Sequence, residues 1–100
     1  MNRKDSGSDS DSGMKVNVRS SDMPEAQQKE AAKVIAEALS IHTKETQVAK
    51  TIKSHFDEKY GRAWHCIVGK HFAGYVTHEQ NTFMHAHIGN VSVMLFKTSS

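Results

Sequence analysis

Apolar residues follow two different periods along the chain, and the change of period divides it into a helical half and a β half. Between residues 24 and 60 the apolar side chains recur every three or four positions, as on one face of a helix. From Trp64 onward, apolar, aromatic and β-branched residues gather in short runs separated by turn residues. This order predicts an α+β fold in which helices cover one face of an antiparallel sheet.

Two helices are predicted in the first half. The first should cover residues 24–41, because Asp22 and Glu25 have the spacing of a capping box just before it. The second should begin after Thr43, a residue type that can cap a helix, and should end at Gly61. The apolar faces expected to form the core are Ala31, Ile35, Ala38 and Leu39 in the first helix and Val48, Ile52, Phe56 and Tyr60 in the second.

Five short strands are predicted around these helices. Residues 15–19 alternate apolar and polar side chains, which indicates an edge strand before the first helix. Gly89-Asn90 separates the last two strands and is typical of a two-residue hairpin turn. The four strands expected after the helices are 64–69, 72–77, 82–88 and 91–97.

The predicted strand 82–88 has two chemically different faces, because successive side chains of a strand point to opposite sides. Met84, Ala86 and Ile88 share one side, which we expect to face the helix-covered core. The opposite side carries an aromatic ring and two imidazoles, from Phe83, His85 and His87. Such a surface is more typical of a partly wet groove or a subunit interface than of free solvent.

Composition bounds the class of protein. Residues 1–13 are dominated by Ser, Asp and Gly, so we predict a disordered tail over 1–14 and a single domain over 15–100. Cys66 is the only cysteine, which excludes an intramolecular disulfide and favours the cytosol. No apolar run approaches a membrane span and no basic stripe carries interleaved aromatics, so neither a membrane nor a nucleic acid is expected as a partner.

Candidate chemistry is sparse. His65 and Cys66 are adjacent on a strand and so point to opposite faces, which argues against an activated thiol. His85 and His87 could together hold a metal, but two ligands do not make a site. No nucleophile elbow, glycine-rich loop or catalytic carboxylate pair accompanies them. The sequence therefore predicts no enzyme, no cofactor and no metal.

Three segments carry a family resemblance: Phe56-Asp57-Glu58-Lys59-Tyr60, Trp64-His65-Cys66-Ile67-Val68-Gly69, and Tyr75-Val76-Thr77-His78-Glu79 after Phe72. Together they resemble the eight-kilodalton cytoplasmic dynein light chains, without a visible gap from about residue 15 to the C-terminus. The resemblance implies a homodimer in which each copy adds its strand 72–77 to the sheet of the other. It also implies two sheets packed face to face with the helices outside.

The resemblance further implies a function: a non-catalytic hub that binds short linear motifs of other proteins by β-strand addition. The implied partners are the dynein intermediate chain and other proteins that carry Thr-Gln-Thr-like extended motifs. The implied setting is the dynein motor complex, in the cytoplasm and on the microtubule cytoskeleton. The runner-up is a dimeric structural or assembly subunit in which peptide capture is lost or altered.

Carried over to this chain, the resemblance gives two sets of candidate residues. The expected peptide groove is formed by Arg19, Thr43, Glu45, Thr46, Lys70, His71, Phe72, Ala73, Gly74, Tyr75, Val76, Thr77, His78, Phe83, His85 and His87. The expected dimer contacts are His65, Lys70, Phe72, Tyr75 and Thr77.

Several groove positions depart from the family pattern. His85 and His87 stand where tyrosines are common, His71 replaces an asparagine and Thr46 replaces a lysine. We therefore expect guest pockets that are wetter and more sensitive to pH than is usual in the family. His65 offers a second source of pH dependence, because two copies of it would face each other across the dimer and repel when protonated. The alternative is a neutral His65 with no such effect.

Overall fold

Two helices lie on one face of a four-stranded antiparallel sheet, as the sequence predicts. The protein is described by a computed structural model over residues 15–99, so the predicted tail at 1–14 lies outside the described residues. In chain order the elements are β1 (Asn17–Ser21), α1 (Glu25–Ile41), α2 (Glu45–Tyr60), β2 (Trp64–Lys70), β3 (Met84–Ile88) and β4 (Val91–Lys97). The sheet order is β1-β3-β4-β2, so β1 and β2 are its edges. Over the described range, no helix is long and apolar enough to cross a membrane.

The hairpin between β3 and β4 fixes the register of the central strands. Ile88 pairs with Val91, which leaves Gly89 and Asn90 as a two-residue loop, and Gly89 adopts a positive φ of 59°. Glycine reaches this conformation without the steric cost that a side chain adds. The predicted hairpin turn is therefore confirmed.

The core lies between the helices and the side of the sheet that we call the inner face. Its members are Met23, Ala31, Val34, Ile35, Ala38, Val48, Ile52, Phe56, Trp64, Met84, Ala86, Ile88, Val93 and Leu95. Phe56 packs its ring 4.9 Å from that of Trp64, between α2 and β2. Burying a large apolar side chain contributes about 1.5–3 kcal/mol, so this cluster is the main stabilising term of the subunit. Leu39 is only half-buried at its edge, and Val34 joins the core without having been predicted. The prediction of Tyr60 as a core residue is wrong, because its side chain is 38% exposed at the end of α2.

Both predicted helix caps are wrong. Lys44, not Thr43, precedes α2, and no side chain caps that helix. Pro24 precedes α1, while the Asp22 carboxylate accepts hydrogen bonds from the backbone N–H groups of Asn81 and Phe83, each at 2.9 Å. Backbone donors far along the sequence compete for the side-chain oxygen that local spacing assigned to the helix. The result is a bond that fixes the start of β3 to the end of β1.

A cluster of side chains centred on Glu30 joins the two helices. Glu30 Oε2 lies 2.9 Å from both His55 Nε2 and Lys59 Nζ, and Oε1 accepts a hydrogen bond from the Tyr60 hydroxyl. Partial burial alone would raise the pKa of Glu30, but the hydrogen bonds from Tyr60, His55 and Lys59 outweigh it and lower the pKa to about 2. The carboxylate is therefore ionised over the whole physiological range.

Candidate functional site

Residues 71–79, which we call the crossing segment, connect β2 to the turn before β3 and form neither helix nor strand. At one end Lys70 pairs with Val91; at the other the Glu79 N–H donates to the Lys97 carbonyl at 2.8 Å. Val91 and Lys97 are the two ends of β4, and strands rise about 3.3 Å per residue, so the segment travels about 20 Å. Nine residue steps lead from Lys70 to Glu79, so the segment advances about 2.2 Å per residue, more than the about 1.5 Å of a helix and less than the about 3.3 Å of a strand.

The crossing segment has the side-chain alternation of a strand. Phe72 and Val76 are half-buried, and a methyl group added at Gly74 would lie 3.5 Å from Met94 Cε, so these positions face the sheet. Ala73 and Thr77 are exposed, and Tyr75 is 102% exposed. Within residues 15–99, however, no ladder includes 72–77 and no backbone hydrogen bond reaches them. The prediction of a strand at 72–77 is therefore wrong for the single subunit, because the pattern is present and the pairing partner is not.

Beneath the crossing segment lies the side of the sheet that faces away from the helices, the outer face. His85 and His87 both project from it, with ring centroids 5.2 Å apart, and Phe72 stacks on His85 at 5.6 Å. Met84, Ala86 and Ile88 are buried on the inner face, so the two predicted faces of this strand are confirmed. Phe83 precedes β3 and stacks on His78 at 4.9 Å.

A pocket of about 320 Å³ opens at the β1 edge, between the crossing segment and the sheet. It is lined by Ser20, Ser21, Asp22, Gly74, Tyr75, Val76, His78, Phe83 and His85. Six of these lining residues were predicted groove residues; Ser20, Ser21 and Asp22 were not. Ser21 donates from its hydroxyl to the Phe83 carbonyl at 2.8 Å, a contact between residues distant in sequence that no local pattern indicates.

Two polar atoms under the crossing segment are buried without a hydrogen-bond partner among residues 15–99: His85 Nε2 and Ser92 Oγ. Desolvation lowers the pKa of His85, and the neighbouring His87 and Arg19 lower it further. The outer face thus keeps two unsatisfied polar atoms within one subunit; in the helix-covered core, the corresponding atom among residues 15–99 is Trp64 Nε1.

The opposite edge of the sheet belongs to β2, which pairs with β4 on one side and with nothing among residues 15–99 on the other. A short connection, residues 61–63, joins α2 to β2. The helix therefore lies beside this strand and runs in the opposite direction. A helix of 16 residues at about 1.5 Å each is about as long as a strand of 7 residues at about 3.3 Å each. The start of α2, with exposed Glu45 and Thr46, therefore lies at the same end as Lys70.

A second pocket, of about 390 Å³, lies along β2. Its lining residues are Lys53, His65, Cys66, Ile67, Phe96 and Thr98. His65 Nε2 lies 3.0 Å from Thr98 Oγ1, and its ring stacks on Phe96 at 5.4 Å. Burial raises the pKa of the Cys66 thiol to about 12, so the thiol is protonated and a poor nucleophile.

The structure places the predicted groove residues in two groups. One group lies over the outer face toward β1 and consists of residues 72–78 of the crossing segment, Phe83, His85, His87 and Arg19. The other group lies at the β2 edge and consists of Thr43, Glu45, Thr46, Lys70 and His71, which directly follows β2. Three strand spacings of about 4.8 Å separate the two edges, about 14 Å in all. One subunit alone does not assemble the predicted groove.

The family model described as dynein light chain type 1 matches residues 15–98. The chain belongs to the dynein light chain family. It is 41% identical over 83 residues to "Dynein light chain 1, cytoplasmic" of Candida glabrata, covering 83% of this chain and 96% of that protein. It is also 40% identical over 84 residues to the dynein light chain of Schistosoma mansoni, covering 84% of this chain and 94% of the relative.

Solved structures support the same fold. The dynein light chain-like domain of the Fasciola hepatica calcium binding protein FhCaBP2 superimposes with a TM-score of 0.79 at 22% identity, covering 94% of this chain and all of that one (100%). The DLC-like domain of CsTAL3 superimposes with a TM-score of 0.69 at 16% identity, covering 85% and 94%. At these identities the likeness establishes the fold alone.

Membership of the dynein light chain family has consequences for function at a coarse level. The family consists of non-enzymatic adaptors, and membership supports a role as a light chain associated with dynein. The cytoplasmic, cytoskeleton-associated location expected from the sequence agrees with the family and with the name of the Candida glabrata relative.

Proposed function

We propose that this light chain is a homodimeric adaptor that captures extended segments of other proteins by β-strand addition. One observation carries the proposal: residues 72–77 alternate like a strand and lack a backbone partner among residues 15–99. An isolated extended segment leaves its N–H and C=O groups without protein partners, and pairing with another strand satisfies them.

A second copy supplies the partner for one edge of this segment. The free edge of β2 spans 7 residues, close to the 6 of the crossing segment that alternate. The fully exposed Tyr75 and the 45% exposed Ile67 are large apolar side chains that such an association would cover. Exchange of the segment between two copies extends each sheet by one strand.

The same exchange assembles the groove. When the crossing segment of one copy lies along β2 of the other, Tyr75, Val76 and Thr77 come to lie beside the start of α2 from the second copy. The outer edge of the segment then offers a row of backbone donors and acceptors to a guest strand. The uncapped N–H groups at the start of α2, near Glu45 and Thr46, are suited to donate hydrogen bonds to the side-chain carbonyl of a guest glutamine.

The guests that we propose, from the resemblance to the family, are dynein intermediate chain and other proteins with Thr-Gln-Thr-like segments. Two grooves in one dimer raise the effective concentration for a guest that is itself dimeric, so that weak single sites give strong binding overall. The competing proposal is an assembly subunit that dimerises without capturing peptides. It is favoured by the substitutions at His71, His85 and His87, which change the surroundings of the guest.

Two proline variants at neighbouring small residues test the proposal. Successive residues of a strand direct their N–H groups to opposite edges, so Ala73→Pro and Gly74→Pro each remove one donor from a different edge. Neither position has a positive φ, and a Cβ at Gly74 meets only ordinary contacts. Sedimentation equilibrium reports the dimer, and fluorescence anisotropy with a labelled Thr-Gln-Thr peptide reports capture.

One of the two variants should lose the dimer, and with it the peptide. The other should remain dimeric and bind the peptide at least about tenfold more weakly, since a lost hydrogen bond costs about 1 kcal/mol and the edge is also distorted. If both variants stay dimeric and bind like the unmodified protein, strand addition is refuted. A dimeric parent protein that binds no peptide at all would support the assembly subunit instead.

A further inference from the structure

His85 is covered on the outer face in a way that its chemistry does not favour. Phe72 stacks on the ring at 5.6 Å with an angle of 14° between the planes, and Nε2 is buried with no hydrogen-bond partner in residues 15–99. A neutral imidazole leaves one polar atom unsatisfied there, which costs about 1–3 kcal/mol. A protonated ring would bury a charge, which costs more.

The surroundings of His85 oppose a positive charge. The titratable or charged groups that face it are Arg19 and Asp22 from β1 and the residue after it, His87 from its own strand, and Tyr75 and His78 from the crossing segment. Opposite it on β4 stands Met94, which carries no charge.

Asp22 is the one acid among these groups, but it does little to stabilise a positive charge on His85. Its carboxylate already accepts two backbone hydrogen bonds, from Asn81 and Phe83, at the far end of the pocket. The ring centroids of His87 and His85 are 5.2 Å apart, and protonating both rings would place like charges side by side.

We propose that His85 is a proton-sensitive contact that holds the crossing segment on the outer face, and that its protonation releases Phe72 and residues 72–77. The neutral ring stacks flat under Phe72; the charged ring gains hydration only when Phe72 moves away. The consequence for function rests on the strand capture proposed above, because residues 72–77 are the segment that would pair with the second copy and the guest. The contact itself lies within one subunit.

The direction of the pH effect follows from linkage. His85 has a lower pKa when covered than the ordinary 6.5 that it regains on release. The covered position is therefore fully favoured above pH 6.5 and loses stability as the pH falls from there through the lowered pKa of the covered ring. Acidification should open the crossing segment, and neutral pH should close it.

The test is a titration of the full chain by nuclear magnetic resonance. We expect the His85 ring to titrate below 6.5, and the nuclear Overhauser contacts between Phe72 and His85 to disappear across the same midpoint. Phe72→Ala should shift the His85 midpoint upward, toward 6.5. His85→Tyr, which keeps an aromatic ring, should make the Phe72 signals independent of pH in this range.

Two histidine variants are the controls. His42→Gln alters a residue that bonds to Thr51 between the helices, and should leave the Phe72 titration unchanged. His65→Gln removes the other candidate source of pH dependence at β2. If the Phe72 signals lose their pH dependence in His65→Gln and keep it in His85→Tyr, the assignment to His85 is overturned.

A His85 midpoint at or above 6.5 in the unmodified protein would also refute the proposal. Should Phe72→Ala fail to fold, His85→Tyr decides the question alone, since only it removes the titrating group while keeping the stack. None of these measurements uses a peptide. They can therefore refute the role of His85 without bearing on guest capture, and a protein that captures no guest can still show the His85 effect.

Discussion

The two faces of the sheet differ in how far one chain can satisfy them. On the inner face, Met84, Ala86 and Leu95 are at most 1% exposed and meet the helices of the same subunit. On the outer face, His85 and Ser92 keep buried polar atoms without partners in the described part of the chain, under a crossing segment that forms no ladder. The inner face is covered by helices of the same subunit, and the outer face is the one on which we propose association.

This difference separates stability from assembly. Apolar contacts on the inner face are non-directional and contribute in proportion to the area that they bury. Unpaired backbone groups and exposed aromatic rings on the outer face contribute little free energy until a second strand pairs with them. Changes on the inner face should therefore alter unfolding, while changes on the crossing segment should alter association.

The largest effect should come from Phe56→Ala. This ring is 0% exposed and packs against Trp64, so its removal leaves a cavity and should lower the free energy of unfolding by about 3–5 kcal/mol. Urea unfolding at fixed protein concentration, followed by the fluorescence of Trp64, measures it. Where that variant does not fold, Ile52→Val should cost about 1 kcal/mol. A loss below about 1 kcal/mol for Phe56→Ala would contradict the assignment of the core.

Tyr75→Ala should act on assembly and spare the subunit. The side chain is 102% exposed and makes no core contact, so unfolding of the monomer should change by less than about 0.5 kcal/mol. Dimer dissociation should become at least about tenfold easier, because truncating a central interface tyrosine commonly costs more than 1 kcal/mol. Sedimentation equilibrium measures it, with Ile41→Ala, 71% exposed at the end of α1, as the matched control. Equal dissociation constants in both variants would place Tyr75 outside any interface.

The smallest effect should come from Glu30→Gln, on the helical side. It weakens the bonds to His55, Lys59 and Tyr60 and should cost about 1 kcal/mol at neutral pH, with the exposure of Lys59 limiting the gain from charge. The stability contributed by the ionised Glu30 is complete above its ordinary pKa of 4.5 and is lost as the pH falls toward about 2.

Urea unfolding at pH 7, 4.5 and 3 tests this sign, since the difference between the parent protein and Glu30→Gln should shrink as the pH falls. Glu25→Gln is the control, because its ion pair with Lys29 joins two side chains that are 85% and 78% exposed and should leave stability unchanged. A difference that grows toward acid would show that the Glu30 carboxylate does not stabilise the helix pair.

Local patterns predicted the elements well and their ends less well. The periodicity of Val48, Ile52 and Phe56 was sufficient for α2, and the alternation around His85 was sufficient for the two faces of β3. Asp22 was assigned wrongly, because spacing alone cannot show which backbone donors the fold brings near a side chain. Thr43 was assigned wrongly because Lys44 occupies the position before α2. The first strand came out two residues later than predicted, at Asn17–Ser21 rather than 15–19.

The sequence by itself determined the α+β class, the helix-covered face and the membership of the dynein light chain family, because periodicity and short-range motifs are written in consecutive residues. Tertiary structure alone decided that Asp22 bonds to the start of β3, that Phe72 stacks on His85, and that the predicted groove residues are divided between two edges of one sheet. These facts depend on which distant segments become neighbours. Strand order and register set that choice, and no local pattern records it.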